Sequence, residues 1–265
     1  MIRFGTGGIP FSAKEEGSVG GIKRIAELKL NAMEMEFVRG VRMSVASAKE
    51  VGKVAKELDV SLSAHAPYYI NLLSKEPAKV ENSRKMILDT IERTHAAGGT
   101  VAVFHPGYYG GLTSEQAMRP MTEQFELIAK QAMLKGWDSV AIGLEVTAKK
   151  AAWGSVEELV QACKAVPQCV PVIDWAHLWV RTNGLLEAGE VLDRLKHFKH
   201  LHFHFAGARK TKTGWADIHT PIGNNPPYAP IVREVLKRKI DCVFISETPD
   251  LEESALVLKK MSGVV

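Results

Sequence analysis

Cysteine is scarce in this chain, with Cys163, Cys169 and Cys242 its only thiols. An odd number without ligand-like spacing argues against a disulfide framework, and Cys242 lies in the apolar run DCVFIS, so a reducing compartment is expected. Long apolar runs are missing as well: none reaches the roughly 20 residues that a membrane-spanning helix needs. The opening MIRFGTGGIPFS has no charged segment leading into an apolar stretch, so no secretory leader is expected in it. A soluble, cytoplasmic protein without a membrane partner is expected. Neither sign of charge dominates, with 34 Lys and Arg against 30 Asp and Glu, a formal charge of +4 and a pI near 8.8. Such a balance permits a polyanionic partner without demanding one. Linkers and low-complexity tracts are also absent, so one domain over residues 1–265 is expected.

What the sequence does contain is a regular alternation of short apolar runs with helical patterns. The runs 2–5, 33–37, 60–65, 100–105, 140–145, 170–174, 200–205 and 241–247 read as strands. Between them, 46–58, 79–97, 122–135, 156–166, 187–197, 229–238 and 250–262 read as helices. Val80, Ile87, Leu88 and Ile91 mark one face of the second, and Gly98 and Gly99 stop it. Ser155 and Glu158 make a capping box ahead of the helix at 156. Eight βα units argue for an α/β fold of the (β/α)8 TIM barrel type.

The polar residues that could carry chemistry gather at the strand ends. His65, His105, Glu145, Asp174, His204 and Glu247 each follow an apolar run, and active sites of this fold lie at the carboxyl ends of the strands. In LHFHFAGARKTKTGWADIHTPIG, His202 with His204 and Asp217 with His219 recur two residues apart, so each pair faces one side of an extended segment. His204 is the better ligand of its pair, and His200 falls toward the opposite rim. Asp174 and His177 either bind a metal or cap a helix start. His95 and His197 read as helix-surface residues, and the roles of Glu34 and Glu36 in MEMEF stay open. A buried carboxylate without a partner costs several kcal/mol, and a shared metal cluster removes that cost. Mixed His and carboxylate donors without cysteine suit Zn²⁺ in a catalytic site, and Mn²⁺ as well.

Basic residues cluster near these positions: Arg39 and Arg42, Lys149 and Lys150, and Arg209, Lys210 and Lys212. They are either a solvated surface or contacts to phosphates. Tyr68, Tyr69, Tyr108 and Tyr109 follow two of the histidines and either cover the barrel mouth or stack on an unpaired nucleotide.

Taken together, HAPYYINL, FHPG, LEVTA, IDWAH, HFAG, DIH and ETP, in this order from about residue 60 to 249, resemble the endonuclease IV family of apurinic/apyrimidinic endonucleases. The resemblance implies a TIM barrel with three zinc ions. His65 and His105 would bind one, Glu145 would bridge it to a second held by Asp174, His204 and Glu247, and His177, Asp217 and His219 would hold the third. It implies cutting of duplex DNA on the 5′ side of an abasic site, leaving a 3′-hydroxyl and a 5′-deoxyribose phosphate, with trimming of blocked 3′ ends. Arg39, Tyr68, Tyr69, Arg209 and Lys210 would contact the DNA, and a monomer is expected. Glu145 is the expected catalytic residue, since it joins the two ions that activate water. The chain departs from the family in having Ile218 inside DIH, in TPIGNNPPY after it, and in a GTGG strand without the family's common histidine. The rival is a sugar isomerase or epimerase of the xylose-isomerase-like class, for which Glu145, Asp174, His204 and Glu247 suffice to hold one ion. It leaves His65, His105, His177, Asp217 and His219 unused. A DNA-binding module without catalysis would need no converging carboxylates.

Overall fold

In the computed structural model, which describes residues 1–223 and 225–264, the apolar runs become the staves of a closed parallel barrel. The staves are β1 (Ile2–Gly7), β2 (Ala32–Glu36), β3 (Ser61–His65), β4 (Val101–Phe104), β5 (Ala141–Glu145), β6 (Cys169–Asp174), β7 (His200–Phe205) and β10 (Asp241–Ser246). Each pairs with its sequence neighbours, and β10 closes the ring on β1 with Phe4 opposite Phe244. A two-stranded antiparallel hairpin, β8 (Gly207–Thr211) and β9 (Gly214–Thr220), stands outside the barrel.

The helices are α1 (Gly17–Glu27), α2 (Val45–Glu57), α3 (Pro77–Ala96), α4 (Ser114–Leu134), α5 (Val156–Ala165), α6 (Trp175–Arg181), α7 (Ala188–Leu195), α8 (Tyr228–Lys237) and α9 (Glu252–Ser262). Side chains two apart on a strand share a face, so β7 sends Leu201, Phe203 and Phe205 outward to the helices and His202 and His204 inward. The outward layer is the main core: Phe4, Phe104, Phe125, Phe203, Phe205, Phe244, Trp153 and Trp175 are all fully buried in it. Truncating one such ring costs about 3–5 kcal/mol. Small apolar groups fill part of the barrel interior. Val101, Val103 and Val172 form one cluster, and a Cβ at Gly143 would stand 2.7 Å from Val101 Cγ1, so the residue there must be glycine.

Several local signals act as their chemistry requires. The Ser155 hydroxyl accepts from the Glu158 amide while the Glu158 carboxylate returns to the Ser155 amide. Four expectations need correction. Helix α4 begins at Ser114 rather than 122, because Thr113 and Gln116 form a capping box; Pro120, the kind of residue that ordinarily breaks a helix, lies inside it as the seventh residue. Helix α1 has three glycines, which hid its periodicity. The short α6 starts directly on Asp174, so strand and helix merge into one apolar run. The basic loop after β7 is the β8–β9 hairpin. Of the TPIGNNPPY segment, Asn224 lies outside the described residues. Among the described residues no helix is long and apolar enough to cross a membrane.

Candidate metal centre

The carboxyl ends of the staves bring His65 (β3), Glu145 (β5), Asp174 (β6) and His204 (β7) into one mouth, joined by His105 just past β4 and Glu247 just past β10. Helix α6 supplies His177. Its register is set by Asp174, whose Oδ1 accepts the His177 amide at 2.6 Å, so this aspartate caps the helix with one oxygen and faces the mouth with the other. The hairpin completes the set: on β9, Asp217 and His219 share a face, with Asp217 Oδ1 lying 3.3 Å from His177 Nε2 and 3.6 Å from His219 Nε2. Every candidate ligand read from the sequence therefore converges on one place.

Glu145 lies at the centre, fully buried. Its Oε2 is 3.0 Å from His65 Nε2 and 3.3 Å from His105 Nε2, whereas its Oε1 is 3.1 Å from His204 Nδ1. His204 Nδ1 is in turn 3.1 Å from Glu247 Oε1. The two oxygens of one carboxylate thus serve two separate donor groups.

The histidines are held in defined tautomers. A carbonyl oxygen only accepts, so His65 Nδ1 at 2.7 Å from the Ala66 carbonyl must carry the proton there. His177 Nδ1 does the same to the Val146 carbonyl at 3.2 Å, and His219 Nδ1 to the Glu247 carbonyl at 2.9 Å. In each ring Nε2 is the nitrogen left for the carboxylates, although His177 Nδ1 also lies 3.3 Å from Glu145 Oε1.

The electrostatics of the mouth are those of a crowded, dry site. Burial drives the Glu36 carboxyl up to about 8, against the pull of His65. Burial likewise outweighs His177 at Asp174, whose pKa is raised. Burial also opposes ionisation at Glu145, but His105 and His204 hold that carboxyl well below its usual range. Against the same burial, His204 brings Glu247 down to about 2 and the bond to Glu145 lifts His65 to about 10. Burial takes His105 down to about 4, leaving its ring neutral with a free lone pair.

Donor atoms of this kind fit divalent cations. Ligands about 2.0–2.1 Å from a tetrahedral zinc stand about 3.3 Å from one another, which is the spacing seen here. Groups of donors lying mutually within 4.8 Å include His65, His105 and Glu145; Glu145, Asp174, His204 and Glu247; and Asp174, His177 and His219, with two deeper groups, Glu34, His202 and His204, and Glu34, Glu36 and Glu247. Asp174 Oδ2 and Glu36 Oε1 are buried without a hydrogen-bond partner among the described residues. Buried polar atoms are rarely left so unless something else binds them.

Other candidates separate by position. His200 lies at the amino-terminal rim beside Asp241, and His95 on α3 meets Ser139. His202 faces the barrel interior like His204 but sits deeper, bonded to Glu34 rather than to the mouth. Sequence reading left Glu34 open; the alternation MEMEF was the available signal, and it placed the residue inward without showing what it meets. Tyr68, Tyr69 and Tyr108 are exposed at the rim, but the Tyr109 hydroxyl turns away and donates to Glu158. Arg39, Lys149, Arg209 and Lys210 are exposed, and so is Ile218, which lies with Asp217 at a break in the β8–β9 register. A cavity of about 440 Å³ opens over the site, with His105, His177, Asp217, His219, Tyr68 and Lys149 in its wall.

The fold and this strand-end site define a barrel enzyme class, and the chain belongs to the xylose isomerase-like TIM barrel family, whose pattern matches residues 22–261. An uncharacterised protein of Methanocaldococcus jannaschii is 31% identical over 98% of this chain and 96% of its own length. A protein named probable endonuclease 4 from Mesomycoplasma hyopneumoniae is 25% identical over 74% of this chain and 75% of its own. Among solved structures, endonuclease IV of Thermus thermophilus superposes with a TM-score of 0.74 at 20% identity, covering 99% of this chain and all of that one. D-psicose 3-epimerase of Clostridium cellulolyticum superposes at 0.68 with 16% identity, covering 92% of each. These two structural likenesses concern the fold.

Proposed function

We propose that this chain is a metal-dependent phosphodiesterase of the endonuclease IV kind, cutting duplex DNA on the 5′ side of abasic sites and trimming blocked 3′ ends. The observation that carries the proposal is Glu145, whose two oxygens face separate histidine groups as a carboxylate bridging two cations does. In this reading His65, His105 and Glu145 would hold one zinc, Glu145 with Asp174, His204 and Glu247 a second, and His177, Asp217 and His219 a third. Bound divalent ions would supply a nucleophile at neutral pH and neutralise charge that develops on the phosphoryl oxygens. The chain's residues do the rest. The carbonyl-anchored rings of His65, His177 and His219 keep the donors oriented, and the cavity admits the phosphodiester while the barrel wall excludes bulk water. Water adds to phosphorus and the bond to the 3′-oxygen breaks, leaving a 3′-hydroxyl and a 5′-deoxyribose phosphate. In this reading the exposed Lys149, Arg209, Lys210 and Arg39 would meet backbone phosphates, and Tyr68 and Tyr69 would stack at the lesion. The match to probable endonuclease 4 sequences supports the same reading.

A second reading rests on one observation, that Glu145, Asp174, His204 and Glu247 form a sufficient single-ion group by themselves. That is the arrangement a ketose epimerase of this family would need. Incubation of zinc-loaded protein with a duplex carrying one abasic-site analogue separates them. Incision on the 5′ side is expected; no incision together with epimerisation of ketohexoses would replace the proposal with the second reading.

A further inference from the structure

His65, His177 and His219 share one arrangement: Nδ1 is anchored on a backbone carbonyl and Nε2 faces the carboxylates. His204 reverses it. Its Nδ1 faces Glu145 and Glu247, and its Nε2 turns down the barrel, where it lies 2.9 Å from Glu34 Oε1. Neither Glu34 Oε1 nor His204 Nε2 has an aligned hydrogen-bond partner among the described residues, and both residues are completely buried. The other oxygen of Glu34 is already engaged. Ser63, opposite Glu34 in the β2–β3 register, donates to Oε2 at 2.6 Å, and His202 Nε2 lies 2.9 Å from that same oxygen. Two partners therefore fix the carboxylate and leave its free oxygen beside His204, 2.9 Å from Nε2.

We propose that Glu34 is a positioning residue for His204: its carboxylate takes the Nε2 proton as a hydrogen bond, so that Nδ1 offers its lone pair to the group formed by Glu145, Asp174 and Glu247. The proposal rests on the metal-centre reading above. Glu34 does for His204 what backbone carbonyls do for the other three rings, but with a full negative charge, which makes the ring a stronger donor. An apolar residue would pack the same space at lower cost, since a buried carboxylate must be compensated to be tolerated. Ser63 and His202 supply part of that compensation from the deeper layer, so His202, which has no place among the mouth ligands, acquires a role through Glu34.

The test is zinc affinity, measured by competition with a chromophoric chelator on full-length protein and on Glu34→Gln. The substitution is expected to weaken one ion by roughly 10- to 100-fold, the range for lost outer partners of metal ligands, and to leave the others as they were. Replacement by Co²⁺ should show a changed visible spectrum for one ion only. Thermal melting of the chelator-stripped proteins separates this from misfolding. Ser63→Ala, which keeps the charge and removes one anchor, should weaken the same ion by only a few-fold. Equal affinity and an unchanged Co²⁺ spectrum in Glu34→Gln overturn the proposal. So does loss of a whole extra equivalent, because Glu34, His202 and His204 would then hold a cation themselves. Wild-type protein that binds no divalent ion would instead bring down the metal-centre reading, and this proposal with it.

Discussion

The two ends of the barrel use the same residue types to opposite effect. At the amino-terminal rim Asp241 lies 3.0 Å from the Met1 ammonium and 3.1 Å from His200 Nδ1, and Arg3 pairs with Asp59 at 2.9 Å. Apart from the half-sheltered Arg3, these groups keep much of their contact with water, so each needs only a neighbour and solvent. At the carboxyl mouth Glu145, Asp174 and His204 are fully buried, and Asp174 Oδ2 has no hydrogen-bond partner among the described residues. An exposed pair contributes little to stability, whereas a buried, under-satisfied cluster must be stabilised by something else. The difference sets the two ends apart: the rim is surface, and the mouth gathers groups that could hold cations.

The contrast breaks most severely at its centre. Glu145→Gln removes the charge that joins two donor groups, and incision of an abasic duplex is expected to fall at least about a hundred-fold, more than loss of an outer partner causes. A near-normal kcat/KM with full metal content would remove Glu145 from the mechanism. The hairpin gives the next effect. His219→Ala should cost about one zinc per chain by elemental analysis and slow incision by about ten-fold or more, while unaltered metal content would detach the hairpin from the site.

A structural carboxylate sharpens the comparison, because Glu158 is buried yet fully bonded. It accepts from Tyr109 and Ser114 and from the Gly154 and Ser155 amides, and these bonds, Ser114 foremost, lower its pKa against the effect of burial. A group depressed in the folded state contributes stability above its unfolded value, near 4.5, which is lost as the pH falls through the lower folded one. Glu158→Gln should therefore cost about 2 kcal/mol at pH 7, with the gap to wild type narrowing below about pH 4.5 in denaturant titrations. A gap independent of pH would refute the charge-based account. The smallest effect belongs to the rim: His200→Gln should change stability by less than about 0.5 kcal/mol and leave incision untouched. A large loss of activity there would erase the contrast between the ends.

Much of this was legible in the sequence because the barrel repeats one signal. Each inner stave announces itself by an apolar run, and the candidate ligands His65, Glu145 and Asp174 are the residues that end those runs. Legibility failed where two signals overlapped or cancelled. In VPVIDWAHLWV the strand passes into α6 without a turn, so Asp174 had to be read as ligand or cap, and it caps the helix with Oδ1 while its Oδ2 faces the mouth. The hairpin's basic, threonine-rich composition masked its alternation, although Asp217 and His219 kept their two-residue spacing. The network of Glu34, Ser63 and His202 was invisible for a different reason. It joins β2, β3 and β7 across the barrel, and no local pattern records which inward residues meet there.

The central claim, that the mouth is a multinuclear metal centre, is tested most directly by elemental analysis of protein purified without chelator. The account predicts about three zinc or manganese ions per chain. A single ion would contradict it, leaving His65, His105, His177, Asp217 and His219 without a partner and the two faces of Glu145 without a purpose.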